Sequence, residues 1–126
     1  MTNMIKVIRD RLKELPELSD VTIKAYYRPE ILAEDDSSLV IVPMSPPKQA
    51  SFGSDIPLRK EFTFQFNIEA SSKDEVTRIA LAMERLLLQM GFYQLSGGLD
   101  EYFVETKRYV DARRFRGYSM LYDVDY

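Results

Sequence analysis

Residues 60–92 carry the pattern that most restricts how this chain can fold. From position 62 to position 70, apolar side chains occupy every second position and polar side chains occupy the positions between them: Phe62, Phe64, Phe66, Ile68 and Ala70 are the apolar set. Because successive side chains of a strand point to opposite faces, this alternation predicts a strand with one buried face and one hydrated face. Such strands are typical of antiparallel sheets that are covered on one side.

A helix is predicted directly after this strand. Ser72 and Glu75 have the spacing of a capping box at a helix start, and Gly91 suits the left-handed conformation that ends many helices. Between them, apolar residues recur at helical spacing. We expect the helix to cover the strand, so that these side chains form one core: Phe62, Phe64, Phe66, Ile68, Val76, Ile79, Met83, Leu86 and Leu87.

The whole pattern predicts a single α+β domain over residues 1–126. We expect a mainly antiparallel sheet of about five strands with two helices packed on one face, in the order α-β-β-β-α-β-β. The further elements are predicted as a helix over residues 3–15 and as strands over residues 21–27, 39–44, 102–109 and 115–126. Residues 93–100 are predicted as a loop with a flexible turn at Gly97-Gly98, and residues 110–113 as the connection of the final hairpin.

Residues 45–58 are predicted as a long irregular loop, because they combine prolines, serines and a lone glycine. Loops of this length are uncommon in compact domains and are usually functional or disordered. Two apolar residues, Phe52 and Ile56, lie within it. They either fold back onto the domain or contact a partner, and the sequence leaves both alternatives open.

The composition argues against most catalytic and metal-binding functions. The 126 residues include no histidine and no cysteine, so the commonest general base, thiolate ligands and disulfides are excluded. The acidic run at residues 34–36 lacks the glycine of a calcium-binding loop and is interpreted as a solvated turn. No apolar stretch is long enough to span a membrane. We therefore expect no enzymatic activity, no cofactor and no metal.

One basic group stands out near the predicted final hairpin. It consists of Lys107, Arg108, Arg113, Arg114 and Arg116, with aromatic residues interspersed. Lysine and arginine next to aromatic rings suit nucleic-acid binding, whereas arginine with tyrosine also suits protein–protein contacts. A third interpretation is a solvated hairpin tip whose charges pair within the chain. Since the net charge is −3, we expect these arginines to serve mainly a protein interface at an exposed tip.

The order of elements resembles that of the tail-terminator (tail-completion) and related neck proteins of long-tailed bacteriophages and prophages. The features that carry the resemblance span nearly the whole chain: the amphipathic start at residues 4–15, the strand ending at Pro29, the long loop at 45–58, the strand and helix at 61–92, and the arginine-rich hairpin. The resemblance is one of architecture, without a diagnostic motif.

The resemblance implies a non-enzymatic component of a virion, assembled in the bacterial cytoplasm. It implies a homo-oligomeric ring, commonly of six copies, that meets tail-tube or neck proteins, with no membrane partner. We expect the interface to involve seven residues of the loop and the hairpin: Phe52, Ile56, Lys107, Arg108, Arg113, Arg114 and Arg116. The alternatives are a small ligand-binding or regulatory α+β module and a nucleic-acid-binding accessory domain that uses the basic hairpin.

Overall fold

A computed structural model of the chain describes residues 4–27, 36–44, 48–53 and 56–120, with the backbone alone at 48–53, 56–59 and 119–120. These residues form two α-helices, α1 (Met4–Lys13) and α2 (Lys73–Gln89), and a short 3-10 helix (Pro16–Leu18). They also form the strands β1 (Val21–Ala25), β2 (Ser37–Pro43), β3 (Lys48–Gly53), β4 (Ile56–Ala70), β5 (Tyr93–Phe103) and β6 (Arg108–Met120). The predicted α+β class is confirmed.

The strands form one mixed sheet in the order β1-β2-β4-β6-β5. β1 pairs with β2 in parallel, and the other neighbours along this path are antiparallel. β3 is not part of this order. It pairs with the first part of β4, on the same edge of β4 to which β2 pairs further along the strand. The long strand β4 therefore organises the sheet, with β6 along its other edge.

The core lies on the helical side of the sheet. All nine residues predicted to pack together are buried there, and the two helices contribute further side chains to the same cluster. Phe66 is fully buried and meets the ring of Phe115 on β6 edge to face, with ring centroids 5.7 Å apart. α1 is two residues shorter at its C-terminal end than predicted, and its apolar stripe packs against β1 and β2.

The start of α2 contains half of the predicted capping box. The Ser72 hydroxyl accepts a hydrogen bond from the backbone N–H of Glu75 at 3.2 Å. The Glu75 carboxylate pairs with Arg78 on the next turn. Arg78 also lies 3.3 Å from Asp20, just before β1, so this ion-pair group links the helix to the segment that enters the sheet. Gly91 has the predicted left-handed conformation, with φ of 86°.

The predicted final hairpin was placed wrongly. Its turn lies at residues 104–107, and residues 110–113 are inside β6. Residues 93–100, predicted as a loop, belong to β5. Gly97 and Gly98 are not a flexible turn, because they lie at a β-bulge where β5 changes register against β6. β5 escaped prediction because it is a mostly exposed edge strand without the alternation that marks a half-buried strand.

The irregular loop predicted at residues 45–58 is also corrected. Its described part is a hairpin arm, formed by β3 and the start of β4, and the element order gains one strand. Phe52 pairs with Pro57 and Ile56 pairs with Gly53 through the backbone. The side chains of Phe52 and Ile56 lie outside the described part of the structure, so both interpretations of them stay predictions. Residues 34–35 of the acidic run and the last six residues of the sequence also lie outside it.

Candidate interaction surfaces

The basic residues near the final hairpin do not form one patch. Lys107 lies in the turn with a left-handed φ of 57° and is exposed. Arg108, the first residue of β6, is 5% exposed, and its guanidinium donates to the backbone carbonyl oxygen of Asp36. This contact joins the turn end of β6 to the start of β2. Arg108 therefore supports the fold rather than offering a free surface charge.

Arg113 faces the helices. It lies opposite Phe66 in the β4–β6 register, on the covered side of the sheet. Its guanidinium donates two hydrogen bonds to the buried Asp111 carboxylate, at 2.8 Å and 3.1 Å, and lies 3.7 Å from Glu84 on α2. The hydrogen bond to Asp111 raises the pKa of Arg113 above its usual value. The expectation that Arg113 is an exposed tip charge is wrong.

Arg114 and Arg116 point to the opposite face of the sheet, which no helix of the described residues covers; we call it the uncovered face, although Val40 and Ala112 on it are only 4% and 7% exposed. Arg116 lies 3.2 Å from a carboxylate oxygen of Glu61, its diagonal neighbour on β4. Arg114 donates to the side-chain oxygen of Gln65 at 3.1 Å. Among the described residues no carboxylate lies within 4 Å of the Arg114 guanidinium, so its charge is solvated and hydrogen-bonded but not paired. Of the arginines in the predicted interface, Arg114 is thus the one best able to bind an anionic group.

The uncovered face also has a polar end on the side of Arg116. There Tyr118 lies opposite Glu61, and its hydroxyl is 3.4 Å from the Glu61 carboxylate. The Tyr93 hydroxyl on β5 lies 3.5 Å from that of Tyr118. The hydrogen bond to Tyr93, followed by burial and the nearby charges, raises the pKa of Tyr118 above its usual value.

A shallow depression of about 460 Å³ lies on this uncovered face. Its walls are mainly apolar, and four polar side chains from β4 and β6 converge on it. The lining comprises Tyr26, Val40, Val42, Gln65, Asn67, Glu69, Gly98, Leu99, Phe103, Val110, Ala112 and Arg114. Sequence reasoning missed this site because its residues come from five segments that only the sheet topology brings together.

Two further surfaces were not predicted from the sequence. Leu81 and Leu88 lie on the outer side of α2 and are 47% and 57% exposed. The second surface is the β5 edge of the sheet, where Leu99 and Tyr102 are exposed and Val104 follows in the turn. Exposed apolar side chains of this kind are candidates for protein–protein contact.

The described part of the chain contains no group of three acidic, histidine or cysteine side chains that could share a metal ion. Among its helices, none is both long and apolar enough to cross a membrane.

Comparisons with known proteins give a structural match and no match in sequence. No family model and no curated protein matches the chain. Among solved structures, the fold is similar to that of a chain in the virion of a native gene transfer agent particle. The TM-score is 0.66, the sequence identity is 13%, and the match covers 93% of this chain and 94% of that chain. At this identity the likeness establishes a shared fold.

Proposed function

We propose that this chain is a non-enzymatic structural protein of a phage or prophage virion. We further propose that it is a tail-terminator or neck component that assembles as a ring at the head–tail junction. The observation that carries the proposal is the fold shared over nearly the full length of both chains with a component of a gene transfer agent virion. Fold alone does not define function, so the proposal also draws on the surfaces of the described residues.

The architecture suits a ring subunit. One face of the sheet is covered by both helices and buries a continuous core, so the subunit is stiff. The two outer strands, β1 and β5, lie at opposite ends of the sheet. A ring needs a heterologous contact, in which two different surfaces of the subunit meet. The opposite edges of this sheet are such a pair of surfaces.

The nucleic-acid alternative loses its main argument. It required a continuous basic hairpin with aromatic residues between the charges. Instead, Arg108 is buried, Arg113 faces the helices, and Arg114 and Arg116 lie on the other face. The charge that would neutralise successive phosphates is divided between opposite sides of the sheet.

One observation favours the ligand-binding alternative. The depression on the uncovered face combines apolar walls with Gln65, Asn67 and the unpaired guanidinium of Arg114. Binding sites for small molecules commonly have this composition, with a few polar groups among apolar ones. Its shallow, open shape weighs against a small ligand and is also compatible with a contact between subunits.

Sedimentation and negative-stain electron microscopy of the purified protein test the proposal. We expect one closed oligomer of defined size, seen as a ring, and we expect deletion of the gene from its phage to leave heads and tails that fail to join. A protein that remains monomeric up to its solubility limit, and whose deletion leaves infectious particles intact, would contradict the proposal. Tight binding of a small anion to the monomer, abolished by Arg114→Ala, would favour the ligand-binding alternative instead.

A further inference from the structure

We propose that neighbouring copies join by adding β5 of one subunit to β1 of the next, so that the sheet continues across the subunit contact. The proposal rests on the ring assembly proposed above and names the surfaces that would form it. It starts from the two ends of the sheet. Among the described residues, β1 pairs only with β2, and β5 pairs only with β6. Within this part of the chain, both outer strands therefore present a row of unpaired backbone groups.

The β5 edge has few of the features that usually prevent such pairing. Native edge strands are commonly protected by lysine, proline, bulges or charged side chains. Here the bulge between Gln94 and Gly98 distorts only the first half of β5. From Leu99 to Phe103 the strand is regular, contains no lysine or proline, and exposes Leu99 and Tyr102; its two charged residues are Asp100, which pairs with Lys73 of the same subunit, and Glu101. This regular section has five residues, as β1 does.

The strand directions are also compatible. β1 runs parallel to β2, and each later step through β4, β6 and β5 reverses direction, so β1 and β5 run in opposite directions. Rotation about a ring axis that lies along the strands preserves these directions. β5 of one copy therefore meets β1 of the next as an antiparallel pair, the geometry that hairpins and meanders use and the slightly more stable one.

One register brings an unpaired acid and an unpaired base together. Lys24 and Glu101 both lie on the uncovered face, as their neighbours Val40 and Val110 do. Within the described residues neither has an ion-pair partner. Pairing Lys24 with Glu101 places Thr22 opposite Phe103, a favourable cross-strand combination of a β-branched and an aromatic residue. On the other face the same register places Ile23 opposite Tyr102, which covers that exposed ring.

Cysteine cross-linking tests the contact directly, because the chain has no cysteine of its own. Directly opposed residues of an antiparallel pair have Cα atoms about 4.5–5.5 Å apart, within reach of a disulfide. Within one subunit the same positions are separated by four strand spacings, about 19 Å, so they cannot bridge. Oxidation of Lys24→Cys/Glu101→Cys should give covalent oligomers up to the size of the ring. The control Lys13→Cys/Glu101→Cys, with its first cysteine on the exposed end of α1, should not.

Charge reversal gives an independent measurement. Lys24→Glu and Glu101→Lys should each lower the association constant by about tenfold or more, because like charges then oppose each other across every contact. The swap Lys24→Glu/Glu101→Lys should restore association to within about threefold of the unmodified protein. Circular dichroism should show an unchanged subunit fold, since both side chains are exposed.

The outcomes separate this inference from the proposed function. A ring that forms normally but shows no specific cross-link, or that tolerates both reversals, overturns the edge pairing and leaves the structural role intact. A protein that never oligomerises, alone or in particles, overturns both. Cross-links confined to the Lys24 and Glu101 pair, together with rescue by the swap, establish the pairing and its register.

Discussion

Replacing Arg113 by methionine should destabilise the subunit by about 2–3 kcal/mol. The substitution keeps an unbranched apolar stem but removes two hydrogen bonds to Asp111, whose side chain is 5% exposed. Removing one member of a buried ion pair costs about 3–5 kcal/mol, because the other charge remains buried without a partner. We take a lower value because the Arg113 side chain is 28% exposed, and water screens part of the interaction.

Equilibrium unfolding in urea measures this loss. The chain has no tryptophan, so far-ultraviolet circular dichroism is a suitable signal. Arg114→Met is the matched control, since it changes the same residue type one position along the same strand. Its guanidinium bonds to the neutral Gln65 on the uncovered face, and we expect a loss of only about 0.5–1.5 kcal/mol. The measurement requires conditions in which the protein is monomeric, because subunit association would add to the apparent stability.

A double variant tests the cause. If the penalty of Arg113→Met comes from the unpaired Asp111 carboxylate, then Asp111→Leu/Arg113→Met should be more stable than Arg113→Met alone, since it removes the stranded charge. Equal losses for Arg113→Met and Arg114→Met, or a loss below about 1 kcal/mol for the former, would show that the ion pair contributes no more than a surface contact.

Three further outcomes are expected. Phe64→Ala should cost about 3–5 kcal/mol in the same assay, because Phe64 is 3% exposed in the centre of the core; a loss below about 1 kcal/mol would contradict the packing described above. Gly98→Ala should destabilise the protein more than Gly91→Ala, although both glycines have positive φ. A Cβ added at Gly98 would overlap the backbone carbonyl of Ala112, whereas a Cβ added at Gly91 would meet no atom within 4 Å. Equal losses of stability would contradict the close approach at Gly98. Duplex DNA should bind weakly, and a tight complex with a steep salt dependence, measured by fluorescence anisotropy, would revive the nucleic-acid alternative.

The central strand and its helix could be predicted because each has a long, uninterrupted period. Phe62 to Ala70 alternate, and the residues after Ser72 repeat at helical spacing, since β4 and α2 each bury one face against the same core. β5 could not be predicted in this way. It lies at the edge of the sheet with nearly all of its side chains exposed, so burial imposes no period on it. The turn was misplaced for a related reason: with β5 unrecognised, the strand predicted over residues 102–109 ran across the true turn at residues 104–107.

The composition by itself argued against histidine- and cysteine-based chemistry and identified arginine as the prominent charged residue near the C-terminal end of the chain. It could not assign partners to those arginines. Asp111 and Arg113 are two residues apart on β6 and share a face in any register, but a shift of one residue in strand pairing would turn that face away from the helices and change the β4 residue that Arg114 meets. Only the tertiary structure decides that the face with Arg113 lies under the helices, near Glu84, and that Arg114 meets the neutral Gln65. The same holds for Lys24 and Glu101, which are far apart in sequence and come to opposite edges only through the order of the strands.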